Sequence, residues 1–227
     1  MGPKRTFPSD ITKLRSEAQL SAIAATASED NKQIFRPPYS EMSQIKDELF
    51  LTGMGGISRE KFANKNISCI INVTFEAPCV RLNGVETIRI PVDDTPNDTL
   101  IDHFDRIAQK IFEVGKKGQK TVVHCVAGMS RSATIVIAYL MKHYKMSLVD
   151  AFNLTLKKRS CIKPNTRFMK ELMIYELRIH KYYSTRMIYT TQSGIQIEIP
   201  DFWLNYHPKL VRMEVDRVKN LKQQTKQ

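Results

Sequence analysis

Two segments of the sequence carry a cysteine that is followed six positions later by an arginine: Cys125 with Arg131, and Cys161 with Arg167. A cysteine thiolate is an effective nucleophile in covalent catalysis. The planar guanidinium of an arginine binds two phosphate oxygens at once, which the ammonium of a lysine cannot do. The pattern therefore suits transfer of a phosphoryl group to sulfur, but the spacing does not choose between the two cysteines.

The surroundings of the two cysteines separate them. Cys125 follows the short apolar run Thr121–Val123, and the loop after it contains Gly128 and opens into a long apolar stretch. Cys161 follows a charged segment, and Pro164 in its loop lacks the backbone N–H that a phosphate cradle needs. We therefore assign the nucleophile to Cys125.

The string HCVAGMSRS, His124 to Ser132, predicts an oxyanion-binding loop. A short loop at a helix N-terminus directs several backbone N–H groups toward one point, and the helix dipole adds to their field. Gly128 permits the positive φ angle that such a loop requires. The same field stabilises a thiolate. The residues expected to bind the phosphate are Val126, Ala127, Gly128, Met129, Ser130 and Arg131.

The residues that flank this loop have different expected roles. His124 is adjacent to the nucleophile on a strand, so its side chain points to the opposite face. We interpret His124 as a structural histidine that hydrogen-bonds the loop, since a thiolate that is already formed needs no general base. Ser132 is expected to donate a hydrogen bond to the cysteine sulfur and so to make sulfur a better leaving group. Helix capping is a second interpretation of Ser132, and both stay open.

Strands and helices alternate on both sides of the loop. Short β-branched or apolar runs predict strands, and apolar residues at helical spacing predict helices. The predicted strands cover 48–53, 67–73, 85–92 and 121–123, and the predicted helices cover 58–64, 100–112 with a stop at Gly115, 132–144, 147–158 and 165–179. This alternation predicts an α/β fold with a mostly parallel central sheet flanked by helices and with the phosphate-binding loop between a strand and a helix.

The chain divides into three parts. Residues 1–41 predict a flexible tail, residues 42–183 contain the alternating elements, and residues 184–227 form a C-terminal extension. In the extension, alternating isoleucines at 195, 197 and 199 predict a half-buried strand. Trp203 is expected to be buried against the domain. The charged segment after Lys209 predicts a solvated helix or a disordered end.

Composition and charge limit the class of protein. The chain has 227 residues, of which 42% are hydrophobic and 26% charged, as in ordinary globular proteins. A net charge of +12 favours anionic partners, but no recognition motif for specific nucleic-acid binding accompanies it. No apolar run approaches the ~18–20 residues of a membrane helix.

The cysteines and the N-terminus bear on location and ligands. Four unevenly spaced cysteines without a C-x-x-C pair argue against a disulfide framework and a zinc site, so no metal or cofactor is expected. This usage fits a reducing compartment, the cytoplasm or the nucleus. The start MGPKRT fits the pattern for myristoylation at Gly2, although Pro3 disfavours it.

The loop and its neighbours resemble the small atypical dual-specificity phosphatases, which lack a separate kinase-docking domain. The resemblance covers roughly residues 42 to 182, and it extends in part to the C-terminal extension. Its motifs are HCVAGMSRS with AYLM (Ala138 to Met141), INVT (Ile71 to Thr74), IPVDDTPNDTL (Ile90 to Leu100), KPNTRFMKEL (Lys163 to Leu172) and, in the extension, IPDFW (Ile199 to Trp203).

The resemblance implies hydrolysis of phosphotyrosine and phosphoserine or phosphothreonine in two steps through a cysteinyl-phosphate. Asp94 falls on the position of the family's general acid, with Asp93 and Asp98 as competing candidates. Asn165 matches a family asparagine and is expected to support the phosphate loop from behind, whereas its position alone indicates a helix N-cap. Phosphorylated proteins, including mitogen-activated protein kinases, are the implied partners.

Two other functions stay open at this point. One is a phosphatase of the same fold that acts on phosphoinositides or RNA 5′-ends, which basic side chains inside the loop would favour. Val126, Ala127 and Met129 are neutral and favour protein substrates instead. The other is a binding scaffold without turnover, which the presence of all the catalytic residue types disfavours.

Overall fold

A five-stranded sheet forms the centre of the computed structural model, which describes residues 39–62 and 64–224. The strands are β1 (Met42–Lys46), β2 (Leu49–Thr52), β3 (Ile67–Asn72), β4 (Glu86–Arg89) and β5 (Lys120–His124). Their order is β1-β2-β5-β3-β4, and every pair is parallel except β1 with β2. The central strand β5 therefore ends in the middle of the carboxyl edge, where open α/β sheets bind ligands.

The helices of this part of the chain alternate with the strands and then follow one another. They are α1 (Arg59–Phe62), α2 (Ile101–Lys116), α3 (Arg131–Tyr144), α4 (Leu148–Lys158), α5 (Thr166–His180), α6 (Asp201–Tyr206) and α7 (Pro208–Gln224). Ser147 and Asn165 cap α4 and α5, since their side chains accept hydrogen bonds from the backbone N–H groups of Asp150 and Phe168. None of the helices in residues 39–62 and 64–224 is long and apolar enough to cross a membrane.

The sheet separates a large core from a small one. Strand β5 is buried on both faces, with Val123 in the large cluster and Val122 in the small one. Helix α3, which is buried from Arg131 to Met141, contacts α2, α4, α5 and β5 on the large side. A strand and a helix that are both buried hold the loop between them at its two ends.

The C-terminal extension adds a hairpin and two helices to the large core. Strands β6 (Met187–Gln192) and β7 (Ile195–Pro200) pair antiparallel, and α6 and α7 follow. Ile197, Ile199 and Trp203 belong to the same buried cluster as α3. The predicted strand and the expected burial of Trp203, which is 2% exposed, agree with the structure.

Several predicted details differ from the structure. Helix α2 continues through Gly115 to Lys116, and Gly115 serves close packing instead, because a Cβ there would lie 2.9 Å from the side chain of Glu48. Strands β1 and β6 were not predicted. Helix α7 is neither disordered nor solvated on all sides, since Leu210 and Val215 pack into the core. Residues 1–38, with most of the predicted tail and Gly2, lie outside the described residues.

Candidate active site

The loop from Cys125 to Ser130 joins the end of β5 to the start of α3. Gly128 has a φ angle of +68°, and a Cβ there would lie 2.5 Å from the backbone of Thr52 at the end of β2. The backbone N–H of Met54 donates to the carbonyl of Val126 at 3.0 Å. The neighbouring strand therefore fixes the loop at close range, and only glycine fits at position 128.

The sulfur of Cys125 accepts two hydrogen bonds. The backbone N–H of Gly128 donates to Sγ at 3.2 Å, and the hydroxyl of Ser132 donates at 3.1 Å. Ser132 is fully buried at the first turn of α3, so its hydroxyl has a fixed position. Hydrogen bonds of this kind stabilise negative charge that develops on a sulfur atom.

Arg131 is held by an acidic residue that the sequence did not single out. Its Nη1 and Nη2 donate to the carboxylate of Glu76 at 2.6 and 3.0 Å, and Nη1 also donates to the carbonyl of Val92 at 3.1 Å. The Nε of Arg131 is buried, and within residues 39–62 and 64–224 it has no hydrogen-bond partner. Glu76 thus fixes the guanidinium through Nη1 and Nη2 and does not engage Nε.

The three candidate aspartates occupy different positions. Asp94 lines the cleft that also contains Cys125, and its Oδ1 accepts from Ser130 Oγ at 2.8 Å and Asn165 Nδ2 at 2.7 Å. Asp93 lies 3.9 Å from Arg131 Nη1. Asp98 accepts a 2.5 Å hydrogen bond from Thr95 within its own turn. The geometry therefore favours Asp94 over its neighbours as the residue that faces a substrate.

His124 lies beneath the loop rather than in the cleft. The residue is 3% exposed, and its Nδ1 lies 3.2 Å from the carbonyl of Cys125. Burial lowers the pKa of His124 to about 4, so the ring is neutral at pH 7 and its Nδ1–H donates to that carbonyl. This is the structural role that its place on the strand indicates.

Asn165 hydrogen-bonds both the loop and Asp94. Its backbone N–H donates to Ser130 Oγ at 3.1 Å, while its side-chain Nδ2 donates to Asp94. Its Oδ1 also caps α5, so the N-cap interpretation holds as well. Asn165 and Ser130 together set the position of Asp94.

Arg159 supports the loop from behind, and the sequence did not indicate this role. The residue is 2% exposed, and it donates from Nε to the carbonyl of Gly128 at 2.8 Å and from Nη2 to that of Ala127 at 3.0 Å. When these carbonyls are held outward, the loop amides turn toward the cleft. The residue follows two lysines at the end of α4, where a charged run ordinarily indicates a solvated helix end.

The second cysteine–arginine pair does not form a phosphate cradle. Cys161 is 2% exposed, and burial raises the pKa of its thiol. Its partner Arg167 is a residue of α5 and pairs with Glu171. Cys161 is therefore a buried structural thiol, whereas Cys125 lies at the cleft.

The cleft itself has a volume of about 360 Å³. Cys125 and the loop line one part of it, and Asp94 and Asn165 line another. Basic residues from outside the loop, Lys163, Arg167 and Arg217, complete the wall. The arrangement places a cysteine thiol, a guanidinium and a carboxyl group around one cleft, which suits hydrolysis of a phosphate ester.

Comparison with known proteins agrees with this chemistry. Residues 49–178 match the family model described as dual specificity phosphatase, catalytic domain. The chain is 34% identical over 166 residues to human dual specificity protein phosphatase 21, covering 73% of this chain and 87% of that one. It is 37% identical over 157 residues to dual specificity protein phosphatase 18 of Bos taurus, covering 69% and 84%.

Solved structures show the same architecture. Human DUSP28 superposes with a TM-score of 0.60 at 29% identity, over 63% of this chain and 97% of that chain. The human tyrosine phosphatase-like serine/threonine/tyrosine-interacting protein superposes with a TM-score of 0.57 at 31% identity, over 63% and 99%. The α/β fold with its mostly parallel sheet is thus the fold predicted from the sequence.

Proposed function

We propose that Cys125 is the nucleophile that attacks phosphotyrosine and phosphoserine or phosphothreonine. The chain belongs to the dual-specificity phosphatase family and is a protein phosphatase. The observation that carries this assignment is the shared cleft of Cys125 and Arg131. Among the described residues the Nε of Arg131 has no hydrogen-bond partner, and the Sγ of Cys125 accepts hydrogen bonds from Gly128 and Ser132. A buried donor without a partner costs about 1–3 kcal/mol, and a phosphate oxygen would supply the missing acceptor.

In the first step, the thiolate of Cys125 attacks phosphorus. The S–P bond forms and the bond from phosphorus to the substrate oxygen breaks, while Asp94 gives its proton to that departing oxygen. Arg131 and the loop amides bind the equatorial phosphate oxygens, whose charge is spread in the transition state.

In the second step, water attacks the cysteinyl-phosphate and Asp94 accepts a proton from it. The S–P bond breaks, inorganic phosphate leaves, and the electron pair returns to sulfur. Ser132 and the amide of Gly128 hydrogen-bond the sulfur at that moment, which makes it a better leaving group.

The network around Asp94 assigns its two oxygens to different tasks. Because Oδ1 accepts from both Ser130 and Asn165, it stays oriented as an acceptor. We assign the transferred proton to Oδ2, which neither of those bonds occupies. These hydrogen bonds are a physical reason to prefer Asp94 to Asp93 as the general acid.

The alternative functions have less support. The loop side chains Val126, Ala127 and Met129 are neutral, and the curated relatives compared above are named protein phosphatases, so phosphoinositide and RNA substrates are disfavoured. A scaffold role has support only from the name of one structural neighbour. The resemblance to the family is the basis for proposing mitogen-activated protein kinases as substrates. The cysteine usage is the basis for proposing a location in the cytoplasm or nucleus. Acylation of Gly2 concerns a residue outside the described ones.

Paired serine substitutions test the assignment of the nucleophile. Cys125→Ser should abolish hydrolysis of para-nitrophenyl phosphate and still bind a phosphopeptide, because Arg131 and the amides remain. Cys161→Ser removes the other cysteine of the same motif and should stay within a fewfold of the parent. Steady-state kinetics and calorimetric peptide binding measure both. An active Cys125 variant together with an inactive Cys161 variant would reject the site.

A further inference from the structure

The C-terminal helix α7 reaches the active-site cleft. Glu214 on α7 is 2% exposed, and it accepts a hydrogen bond from the ammonium of Lys163. Arg217, one turn further along α7, donates to Glu214 from Nε at 3.0 Å and from Nη2 at 2.5 Å. The backbone N–H of Lys163 donates in turn to the carbonyl of Met129 in the phosphate loop. A continuous set of contacts therefore connects the loop to α7.

These contacts leave a net positive charge on the group formed by Lys163, Glu214 and Arg217. One buried carboxylate, Glu214, faces two cations, Lys163 and Arg217, so their sum is one positive charge. Arg167 adds a third cation, although Glu171 pairs with it. The Arg217 side chain is 44% exposed, and its bonds to Glu214 engage Nε and Nη2, so Nη1 lies on the other edge of the guanidinium. Buried Glu214 thus orients Arg217 while part of its guanidinium stays accessible.

The cleft continues into a second one beyond Arg217. The second cleft has a volume of about 470 Å³ and shares Pro96, Thr166, Arg167 and Arg217 with the first. Helix α5 contributes to its lining on one side, and the hairpin β6–β7 with α7 contributes on the other. A polypeptide whose phosphorylated side chain enters the first cleft would therefore extend along a wall that begins with Arg217.

On the basis of the function proposed above, we propose that Arg217, with Lys163 and Arg167, binds a second anionic group of the substrate, a phosphate or a carboxylate close to the residue being dephosphorylated. The extension thereby selects acidic or multiply phosphorylated segments. A guanidinium that a buried carboxylate already orients loses little freedom when it binds an anion, which favours this role. The family match ends at residue 178, so Arg217 lies outside the part that the family model describes.

Three phosphotyrosine peptides test the proposal with the full chain. One has neutral neighbours, one has glutamates beside the phosphotyrosine, and one has a second phosphorylated residue there. The parent should show the highest kcat/KM for one or both anionic peptides. Arg217→Gln should lower kcat/KM for the preferred peptides roughly tenfold, mainly through KM, and should change the neutral peptide and para-nitrophenyl phosphate less than about twofold.

The controls separate a binding role from a structural one. Arg212→Gln removes the same charge from an exposed position of α7. Arg212 is not among the described residues that line either cleft, so this variant should keep the peptide preference of the parent. Arg217→Lys should restore part of the preference, since the charge returns without the planar fork. If Arg217→Gln folds poorly in thermal unfolding, Arg167→Gln on α5 provides the second test with the same expected selectivity loss.

The outcomes divide clearly. If the parent has a raised kcat/KM only for the doubly phosphorylated peptide, the subsite binds phosphate. If kcat/KM is raised for both anionic peptides, the subsite binds any anion. Equal rates of the parent on all three peptides would overturn the inference and leave the catalytic assignment intact. An equal loss on every substrate for Arg217→Gln, or the same change for Arg212→Gln, would also overturn it. Absence of turnover by the parent would refute the proposed function itself.

Discussion

At the scale of single residues, Asp94 determines how well a poor leaving group departs. An alkoxide from phosphothreonine needs a proton, whereas para-nitrophenolate leaves more readily without one. Asp94→Asn should therefore reduce turnover of a phosphothreonine peptide by about 10²–10⁴-fold and that of para-nitrophenyl phosphate much less. Steady-state rates of the parent and the variant on both substrates measure this effect.

The two neighbouring aspartates are the controls for this prediction. Asp93→Asn and Asp98→Asn should keep the ratio of the turnover rates on the two substrates. If Asp93→Asn shows the leaving-group effect instead, the acid moves by one residue and the rest of the mechanism stands. If neither Asp94→Asn nor Asp93→Asn shows it, Asp98 becomes the next candidate.

His124 makes folding stability depend on pH. A histidine in the unfolded chain titrates near 6.5, while burial lowers the pKa of folded His124 to about 4. Between these values the unfolded state binds a proton that the folded state does not, so the free energy of unfolding falls as pH falls from about 6.5 to about 4. His124→Asn removes this proton uptake, and an amide N–H can replace Nδ1–H. The variant should lose less stability over this window, by up to on the order of 3 kcal/mol.

Urea unfolding of the parent and the variant from pH 4 to 8 measures the effect. The informative quantity is the difference between the two stability curves, because other carboxylates and histidines titrate in both proteins. Parallel curves below pH 6.5 would mean that the folded state protonates His124 as readily as the unfolded chain does.

The sequence was most informative about residues whose roles depend on near neighbours. Cys125, Gly128 and Ser132 lie within eight positions, and their hydrogen bonds are local. Glu76 forms its ion pair with Arg131 across 55 positions, and no pattern around Glu76 distinguishes it from a surface glutamate. Pairings of that kind depend on the folded sheet, so sequence reasoning missed them.

At the scale of elements, Gly128 tests how tightly β2 holds the phosphate loop. Gly118 has almost the same left-handed φ angle, +69° against +68°, but no atom lies within 4 Å of a Cβ built there. Gly118→Ala should therefore cost only the backbone strain of about 1–2 kcal/mol and keep activity. Gly128→Ala adds a contact of 2.5 Å with the backbone of Thr52, so the loop must shift. We expect kcat to fall about 10²-fold, since a 1 Å displacement has that effect.

Kinetics and chemical unfolding of both variants measure this comparison. Equal losses of kcat in the two alanine variants would show that backbone strain alone, and not the contact with β2, is responsible. The strand, loop and α3 were predicted because apolar patterns and glycine identify them locally. Strand β1 was missed because Met42–Lys46 is short and its polar residues Ser43, Gln44 and Lys46 break the alternation that marks a strand.

At the scale of the whole molecule, the extension and the catalytic part share one core. Trp203 is 2% exposed and packs with Phe152 of α4, with ring centroids 5.9 Å apart. Trp203→Ala should lower the free energy of unfolding by about 3–5 kcal/mol, as other large-to-small changes in cores do. Tyr206→Ala on the same short helix removes a side chain from a residue that is 71% exposed, and it should change stability by less than about 0.5 kcal/mol.

Denaturant unfolding followed by circular dichroism measures both variants. A single transition is expected in each, because one buried cluster joins residues of α3 with residues of the extension. Two separate transitions in the parent would mean that the extension unfolds independently. The alternating isoleucines predicted β7, but β6 and the buried face of α7 depend on packing against that distant core.

The contact of α7 with the loop also has a consequence for synthesis on the ribosome. Cys125 is translated 92 positions before Arg217, an interval of roughly 5–20 s at ordinary elongation rates. Arg159, which holds the loop carbonyls, is translated between them. A nascent chain therefore contains Cys125 before it contains Arg159, which supports the loop. It contains Arg159 before Arg217, which belongs to the proposed subsite. If the subsite acts as proposed, substrate selectivity is the last property to appear during translation and the first that proteolysis within residues 208–224 would remove.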